Sequence, residues 1–286
     1  MFRWSKEIAA PEEEQWEAMF AMAEIFACFH EQPGREEVRI EAFLQDGEQA
    51  QRLVELWGGQ LDEIGDQDWV AVAAREWLGY VLPIRERFVL TLDERPEFLE
   101  ALQASHPGRE LLIFPPGVAF GTGDHATTAT CLDLLVAEAE NGGVAGKDVL
   151  DLGCGTGILG IAAAKLGATR VDGLDNDPLA VAAAHRYWES NGAPGGEAVT
   201  WAEADVLAWE PEKTYDLVLG NLFSEILRQA MPGIRRSVRE EGVVILSGIL
   251  GEQAAAVIEA AEASGLRLDS RVDAGPWTTL RLVVAQ

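Results

Sequence analysis

The run VLDLGCGTGILG at residues 149–160 constrains the fold of this chain more than any other feature. Two apolar residues lead into Asp151, and glycine then recurs at Gly153, Gly155, Gly157 and Gly160. Glycine loses much backbone entropy on folding, but it adopts positive φ angles and lets other groups come close. The run therefore predicts a buried strand that turns sharply into a helix, with a bulky ligand near the turn. A tight connection that needs glycine only for its own conformation is the simpler alternative.

From residue 148 onward, short apolar strands alternate with helical stretches. The predicted strands include DVLDLG, RVDGLD, YDLVLGN and VVILSGIL, each followed by a helical segment. This alternation predicts a mainly parallel sheet with helices on both faces. The last two strands, LRLDSRV and WTTLRLVVA, have no helix between them. We therefore expect them to form an antiparallel hairpin at one edge of the sheet.

The first part of the chain has a different pattern of predicted helices and strands. Residues 1–92 mix short helices and strands in an α+β pattern, and residues 93–112 are interpreted as a linker with one helix. This organisation predicts a smaller N-terminal α+β domain before the α/β domain at 113–286.

Individual elements of the N-terminal part follow from apolar spacing and alternation. No opening strand is predicted, because residues 5–17 are polar and acidic. The predicted elements are helices over 12–30 and 48–57 and strands over 38–44 and 87–92.

Composition narrows the classes of function. The 286 residues carry a formal charge of −26, spread along the whole chain, which argues against direct binding to nucleic acid. A basic protein partner fits better, although acidity that serves only solubility or a saline cytoplasm is equally compatible. The three cysteines lack zinc or disulfide spacing, so we expect no metal site. No secretory signal or membrane helix is recognised, and we expect a monomeric cytoplasmic protein without membrane contact.

The sequence of the glycine turn is compatible with two classes of ligand. The spacing Gly155-x-Gly157-x-x-Gly160, with Asp175 further along the chain, matches a dinucleotide fingerprint. Against this, the glycines begin earlier, at Gly153, and further predicted strands end near Asp205 and at Asn221. An acid after the second strand can bind two ribose hydroxyls. An acid after the third strand can accept a hydrogen bond from an adenine amino group.

This pattern resembles the class I S-adenosylmethionine-dependent methyltransferases over about residues 148–284. The resemblance implies a Rossmann-like seven-stranded sheet whose last strand is antiparallel, with S-adenosylmethionine as the cofactor. It places the methionine part beside the glycine turn, the ribose at Asp175 and the adenine at Asp205. The implied cofactor residues in and around the sheet are Asp151, Gly153, Gly155, Gly157, Asp175, Asp205 and Asn221.

A second motif, FPPGVAFGTGDHATTATCLDLL, occupies residues 114–135 before the first strand of the sheet. Its hydroxyl groups and its one histidine, His125, belong to a loop that could close over a ligand. Alternatively, Thr127 or Thr128 could cap the following helix.

Together with NLFSEIL and LSGIL-x-EQ further on, this motif closely resembles the ribosomal protein methyltransferases of the PrmA type. That family trimethylates amino groups of a large-subunit ribosomal protein, and its N-terminal domain grips the substrate. The resemblance implies a basic ribosomal protein as partner, and Phe120 and Thr128 as cofactor-pocket residues.

The chemistry needs an amine nucleophile aimed at the methyl group. Asn221 is the candidate to position that amine through its amide oxygen, unless it only fixes its own turn. His125 is the second candidate, either as a proton relay or as a shaper of the pocket. Other functions stay open: a nicotinamide-dependent oxidoreductase, a methyltransferase with another protein substrate, and a non-catalytic assembly factor that only binds the cofactor.

Overall fold

The computed structural model of the protein describes residues 2–23, 25, 27–31, 37–44, 46–63, 77–116 and 125–285. The contacts between residues divide the chain into two compact units, Met1–Arg75 and Glu76–Gln286.

The described residues of the first unit form an antiparallel sheet in the order β2-β3-β1-β4 and two α-helices, in the split β-α-β arrangement. Apolar side chains of the central strands share a core with an aromatic cluster, in which the rings of Trp4 and Phe20 lie 5.5 Å apart and those of Phe20 and Trp57 4.8 Å apart. Its elements are β1 (Phe2–Ala9), α1 (Glu13–Met22), β2 (Ala27–Glu31), β3 (Glu37–Leu44), α2 (Gly47–Trp57) and β4 (Gln60–Glu63).

Two predictions for this unit are wrong. An opening strand, β1, does exist: it pairs with β3 and β4, and it contributes Trp4 and Ile8 to the buried core of this unit. The predicted helix over 12–30 ends at Met22, and Ala27–Glu31 is a strand. Pairing of that segment with β3 prevails over the helical spacing of its apolar residues.

The second unit begins with a three-stranded sheet in the order β5-β6-β7. These elements are β5 (Leu82–Ile84), β6 (Phe88–Thr91), α3 (Pro96–Ser105) and β7 (Glu110–Ile113). Residues 76–92, which the sequence assigns to the first domain, thus belong to the second unit by contacts. Most of the predicted linker is a helix and a strand, and apolar residues of β6 and β7 share a core with the larger sheet.

The larger sheet has seven strands in the order β10-β9-β8-β11-β12-β14-β13. Neighbours from β10 to β12 are parallel, and only β14 runs antiparallel to its neighbours β12 and β13. This confirms the predicted α/β class, the seven-stranded sheet and the closing hairpin. The elements are α4 (Ala126–Glu140), β8 (Asp148–Leu152), α5 (Ile158–Lys165), β9 (Arg170–Asp175), α6 (Pro178–Ser190), β10 (Val199–Glu203), β11 (Tyr215–Asn221), α7 (Ser224–Ser237), β12 (Val238–Leu250), α8 (Ala254–Ala263), β13 (Leu266–Ala274) and β14 (Trp277–Val284).

Alternate residues of the central strands bury their side chains on opposite faces of this sheet. Val149 packs in the core that includes α4, α5 and α6, whereas Leu150 packs in the core that includes α7 and α8. Both faces are covered, which explains why the strands are apolar without a polar side. The polar residues at the strand ends therefore stand out as candidates for function.

Candidate active site

The carboxyl ends of β8, β9, β10 and β11 meet at one edge of the seven-stranded sheet. Asp151 lies near the end of β8, Asp175 ends β9, Asp205 follows β10 and Asn221 ends β11. Because these strands are parallel and adjacent, the four polar side chains predicted from the sequence share this edge.

The glycine turn after β8 has a backbone that other residues rarely adopt. Gly153, Gly155 and Gly157 have φ angles of +65°, +53° and +77°. The Asp175 carboxylate fixes the turn, since its Oδ2 accepts a hydrogen bond from the Gly155 amide at 2.8 Å. The turn and the acid at the end of β9 are thus one structural unit.

A tryptophan of this chain occupies part of the space that the glycines leave. Trp201 is the cross-strand partner of Gly173 in β9. A Cβ at Gly157 or Gly160 would lie 2.9 Å or 2.8 Å from the indole, and one at Gly173 would lie closer still. Gly157 and Gly160 therefore make room for Trp201, and the sequence pattern alone did not predict this contact.

Leu222 occupies the corresponding space at the first glycine of the turn. A Cβ at Gly153 would lie under 3.0 Å from two side-chain carbons of Leu222, the residue after Asn221. The turn after β8 and the turn after β11 are therefore packed directly together.

Asp151 is a buried carboxylate behind this turn. It is 1% exposed, and its Oδ2 accepts the Gly160 amide hydrogen at 2.9 Å. Burial raises the pKa of Asp151 to about 7; the Gly160 hydrogen bond opposes the rise and the charge of Asp175 adds to it. A cation bound at this edge would favour the ionised form of Asp151.

Asp175 and Asp205 are more accessible than Asp151. Asp175 is half-buried, and its Oδ1 accepts the Asp177 amide at 3.0 Å. Asp205 is exposed, and its Oδ1 accepts the Leu207 amide at 2.9 Å. Each carboxylate oxygen has a second lone pair, so both side chains can still accept hydrogen bonds from a ligand.

The Asn221 amide is held by the first turn of α4. Its Nδ2 donates to Thr127 Oγ1 and Thr128 Oγ1, both at 3.2 Å. Both threonines are buried. The Asn221 Oδ1 atom accepts no hydrogen bond from any residue that the structure describes, so this oxygen can accept one from a ligand.

His125 is the N-cap of α4. Its Nδ1 accepts the Thr127 amide at 3.3 Å and lies 2.8 Å from Thr127 Oγ1. Its ring also meets the Trp277 ring edge-on, with centroids 5.0 Å apart. The sequence suggested Thr127 or Thr128 as the cap of this helix, but the cap is His125, which lies two and three residues before the threonines that hold Asn221.

A chain of three hydroxyls, of which those of Thr279 and Ser247 are buried, joins α4 to the sheet. Thr130 Oγ1 lies 2.6 Å from Thr279 Oγ1, which lies 2.7 Å from Ser247 Oγ. Ser247 is also the register partner of Asn221 across β11 and β12. The first turn of α4 is therefore anchored to the strands that flank Asn221.

S-adenosylmethionine fits the chemistry of this edge. Asp175 and Asp205 offer acceptors for hydroxyl and amino hydrogens, and the three carboxylates suit a ligand that carries sulfonium and ammonium charges. Two buried polar atoms near Asn221 and His125, Ser224 Oγ and Trp277 Nε1, have no hydrogen-bond partner among the described residues. They leave hydrogen-bonding capacity that a polar ligand can use.

Other features have structural explanations. Burial raises the pKa of the Cys154 thiol well above its usual range, and that of Cys131 to about 12, so neither is a reactive thiolate. Phe120 lies outside the described residues. The described part of the chain contains no cluster of three or more His, Cys, Asp or Glu residues suited to a metal ion. None of its helices combines the length and apolar character needed to cross a membrane.

A family model and the relatives with similar sequences carry the same description. The model of the family described as ribosomal protein L11 methyltransferase (PrmA) matches residues 4–284. A ribosomal protein L11 methyltransferase of Chloroflexus aurantiacus is 35% identical over 246 residues, which cover 77% of this chain and 70% of the relative. One of Pelotomaculum thermopropionicum is 34% identical over 255 residues, covering 85% and 78%.

A solved structure agrees with these relatives. The crystal structure of a ribosomal protein L11 methylase from Lactobacillus delbrueckii subsp. bulgaricus superposes with a TM-score of 0.60 at 28% identity. The match covers 72% of this chain and all of that chain.

Proposed function

Because this chain belongs to the ribosomal protein L11 methyltransferase family, we propose that it methylates amino groups of the large-subunit ribosomal protein L11. It is an S-adenosylmethionine-dependent methyltransferase, and the family gives no support to the nicotinamide-dependent alternative. The observation that carries the proposal is the amide of Asn221, whose nitrogen is engaged by two threonines while its oxygen stays available at the cofactor edge.

The cofactor is proposed to lie along the carboxyl edge of β8, β9 and β10. Asp175 would accept the ribose hydroxyls while it keeps the Gly155 amide in place. Asp205 would accept a hydrogen from the adenine amino group. Asp151 would balance the positive charge of the methionine part from behind the turn. The remaining proposed contacts are the turn glycines Gly153, Gly155 and Gly157, together with Phe120, Thr128 and Asn221.

The bound cofactor supplies a sulfonium whose methyl group is electrophilic. The substrate nitrogen would accept this methyl group only after it has lost a proton to water, because an ammonium has no lone pair. A lysine amine has a pKa of about 10.4 in water, so the site must favour its neutral form. Asn221 Oδ1 would accept one amine hydrogen and direct the lone pair toward the methyl group. Positioning of this kind can contribute several kcal/mol to the barrier.

The substrate protein is proposed to be basic and to be gripped by the N-terminal unit. Ribosomal proteins bind RNA and carry an excess of lysine and arginine, which complements a chain with a formal charge of −26. This charge favours encounter with a cationic partner over direct contact with RNA.

The test is mass spectrometry of the ribosomal proteins from cells with and without this gene. We expect the mass of L11 to fall by multiples of one methyl group (14 Da) when the gene is deleted. The purified protein should then methylate unmodified L11 with tritiated S-adenosylmethionine. Identical L11 masses in the two strains would refute the proposal, and a mass change in another protein would reassign the substrate. Tight cofactor binding without turnover on any ribosomal protein would favour the assembly-factor alternative.

A further inference from the structure

The orientation of the Asn221 amide is not determined by its two threonine partners alone. Thr127 Oγ1 and Thr128 Oγ1 both lie 3.2 Å from Asn221 Nδ2. A hydroxyl group can donate or accept a hydrogen bond, so two threonines could hold either the nitrogen or the oxygen of an amide. The reversed amide would present its NH₂ group where an incoming amine needs an acceptor.

His125 removes this ambiguity. Its Nδ1 accepts the Thr127 backbone N–H as the cap of α4, so this nitrogen carries a lone pair and no proton. The same Nδ1 lies 2.8 Å from Thr127 Oγ1. In this tautomer the Thr127 hydroxyl is the donor, and its hydrogen shares the Nδ1 lone pair with the longer 3.3 Å contact from the Thr127 amide.

A single direction of hydrogen bonding follows from this donation. Since the Thr127 hydroxyl hydrogen points to His125, its oxygen can only accept from Asn221. The chain therefore runs from Asn221 Nδ2 to Thr127 Oγ1 and from the Thr127 hydroxyl to His125 Nδ1. Asn221 Oδ1 must then face away from α4.

We propose that Thr127 and His125 are positioning residues, which fix the Asn221 amide with its oxygen toward the substrate amine. This assignment rests on the proposed function of Asn221 as the group that receives the amine. It gives His125 a role that needs only an unprotonated Nδ1 and no proton transfer to or from the substrate.

The surroundings keep these groups in place. Thr127 is 2% exposed, so water does not compete for its hydroxyl. The Thr130–Thr279–Ser247 hydroxyl chain fastens the turn that carries Thr127 to the strands beside Asn221. The Trp277 ring packs edge-on against the imidazole and restricts its rotation.

Substitutions distinguish positioning from proton transfer. Thr127→Val removes the hydroxyl and keeps the shape, whereas Thr127→Ser keeps the hydroxyl. His125→Asn keeps an acceptor, because an asparagine Oδ1 can take the place of Nδ1 and can cap the helix. Asn221→Ala removes the amide itself. Thr214→Val, at an exposed threonine ahead of β11, is the matched control.

The assay measures kcat and KM with tritiated S-adenosylmethionine and purified L11, and cofactor Kd by calorimetry. We expect Thr127→Val to lower kcat about 10- to 100-fold, with the cofactor Kd changed less than about threefold. Thr127→Ser and His125→Asn should stay within about fivefold of the wild type, and His125→Asn should keep the pH dependence of kcat. Unchanged kcat in Thr127→Val would overturn the proposal. So would a His125→Asn enzyme as impaired as Asn221→Ala.

A second measurement does not depend on turnover. Nitrogen-15 NMR of the full-length protein at pH 8 should show His125 protonated at Nε2 and unprotonated at Nδ1. A proton on Nδ1 would overturn the proposal even if L11 is the substrate. Conversely, the expected tautomer without methylation of L11 would refute the proposed substrate and leave the hydrogen-bond direction established. Wild-type kcat in Asn221→Ala would refute the role of Asn221 and this inference together.

Discussion

Gly173 is the position where the structure makes the sharpest prediction about stability. An alanine Cβ there would overlap the six-membered ring of Trp201, its partner on the adjacent strand. The ring has little room to move away, because its far edge already lies against Gly157 and Gly160, where an added Cβ would come within 2.9 Å and 2.8 Å of it. Gly173→Ala must therefore displace either the strand or the indole.

The loss of stability expected for Gly173→Ala lies between two limits. Overpacking a well-packed core costs about 1–3 kcal/mol. Complete expulsion of the indole would cost more, since a buried tryptophan removes about 200 Å² from water at roughly 25 cal/mol per Å², or about 5 kcal/mol. We expect Gly173→Ala to destabilise the second unit by about 3 kcal/mol. For a unit of this size, that corresponds to a fall of about 6–12 °C in Tm.

Scanning calorimetry of the variant, a relieving variant and a control would test this. Trp201→Leu should itself be destabilising, but Gly173→Ala should cost much less in the Trp201→Leu background, because the clash is gone. Gly233→Ala in α7 is the matched control, since the nearest atom to its Cβ would be 3.9 Å away. It should leave Tm unchanged or raise it slightly. A Gly173→Ala protein with wild-type Tm, or one whose loss persists in the Trp201→Leu background, would refute the reasoning.

The remaining predictions concern ligand binding. Because the pKa of the buried Asp151 is raised to about 7, a bound cation should expel its proton, and affinity for S-adenosylmethionine should rise up to about tenfold per pH unit below pH 7 and level off above it. Calorimetry across this range should show the slope in the wild type, and a slope that persists in Asp151→Asn would contradict the assignment. Asp175→Ala should weaken cofactor binding about 10- to 100-fold, as expected for hydrogen bonds to a charged group, whereas Asp177→Ala should affect mainly stability through the cap of α6. Titration of both variants separates these effects, and equal affinities would count against a cofactor contact at Asp175. If acidity steers a basic substrate, kcat/KM should fall steeply as salt rises at constant kcat. A rise in activity at molar salt would instead indicate adaptation to a saline cytoplasm.

The architecture of the larger sheet was predictable because each of its strands and helices has an unambiguous local pattern. Strands such as DVLDLG are short apolar runs followed by glycine, and the helices between them favour parallel neighbours joined by right-handed crossovers. The closing hairpin followed from the missing helix between its strands.

The first unit was harder to predict, because its strands are defined by their partners. β1 contains four charged or hydroxyl-bearing residues, and its burial pattern emerges only when Trp4 and Ile8 are placed against the helices. Ala27–Glu31 continues the apolar spacing of α1, so nothing local distinguishes it from a helix. Its pairing with β3 is a tertiary interaction.

The sequence predicted which polar residues belong to the site, but not the hydrogen bonds that join them. Asp175 and Asn221 stood out because each ends an apolar strand, where a charge or an amide has no role in packing. The link from Asn221 to Thr127 crosses more than ninety positions, and it depends on where α4 packs against the sheet. No spacing within one motif reveals such a link, although each motif had been recognised separately.

The glycine run shows why a motif cannot be translated residue by residue into ligand contacts. Its glycines are required for different reasons: Gly155 adopts a φ of +53° and donates to Asp175, whereas Gly160 leaves space for Trp201 and donates to Asp151. Substitution of either glycine would weaken cofactor binding, but at Gly160 the effect would be indirect, through a displaced indole and a buried carboxylate. A loss of affinity there is therefore evidence of contact with the cofactor only if it persists when Trp201 is replaced by a smaller residue.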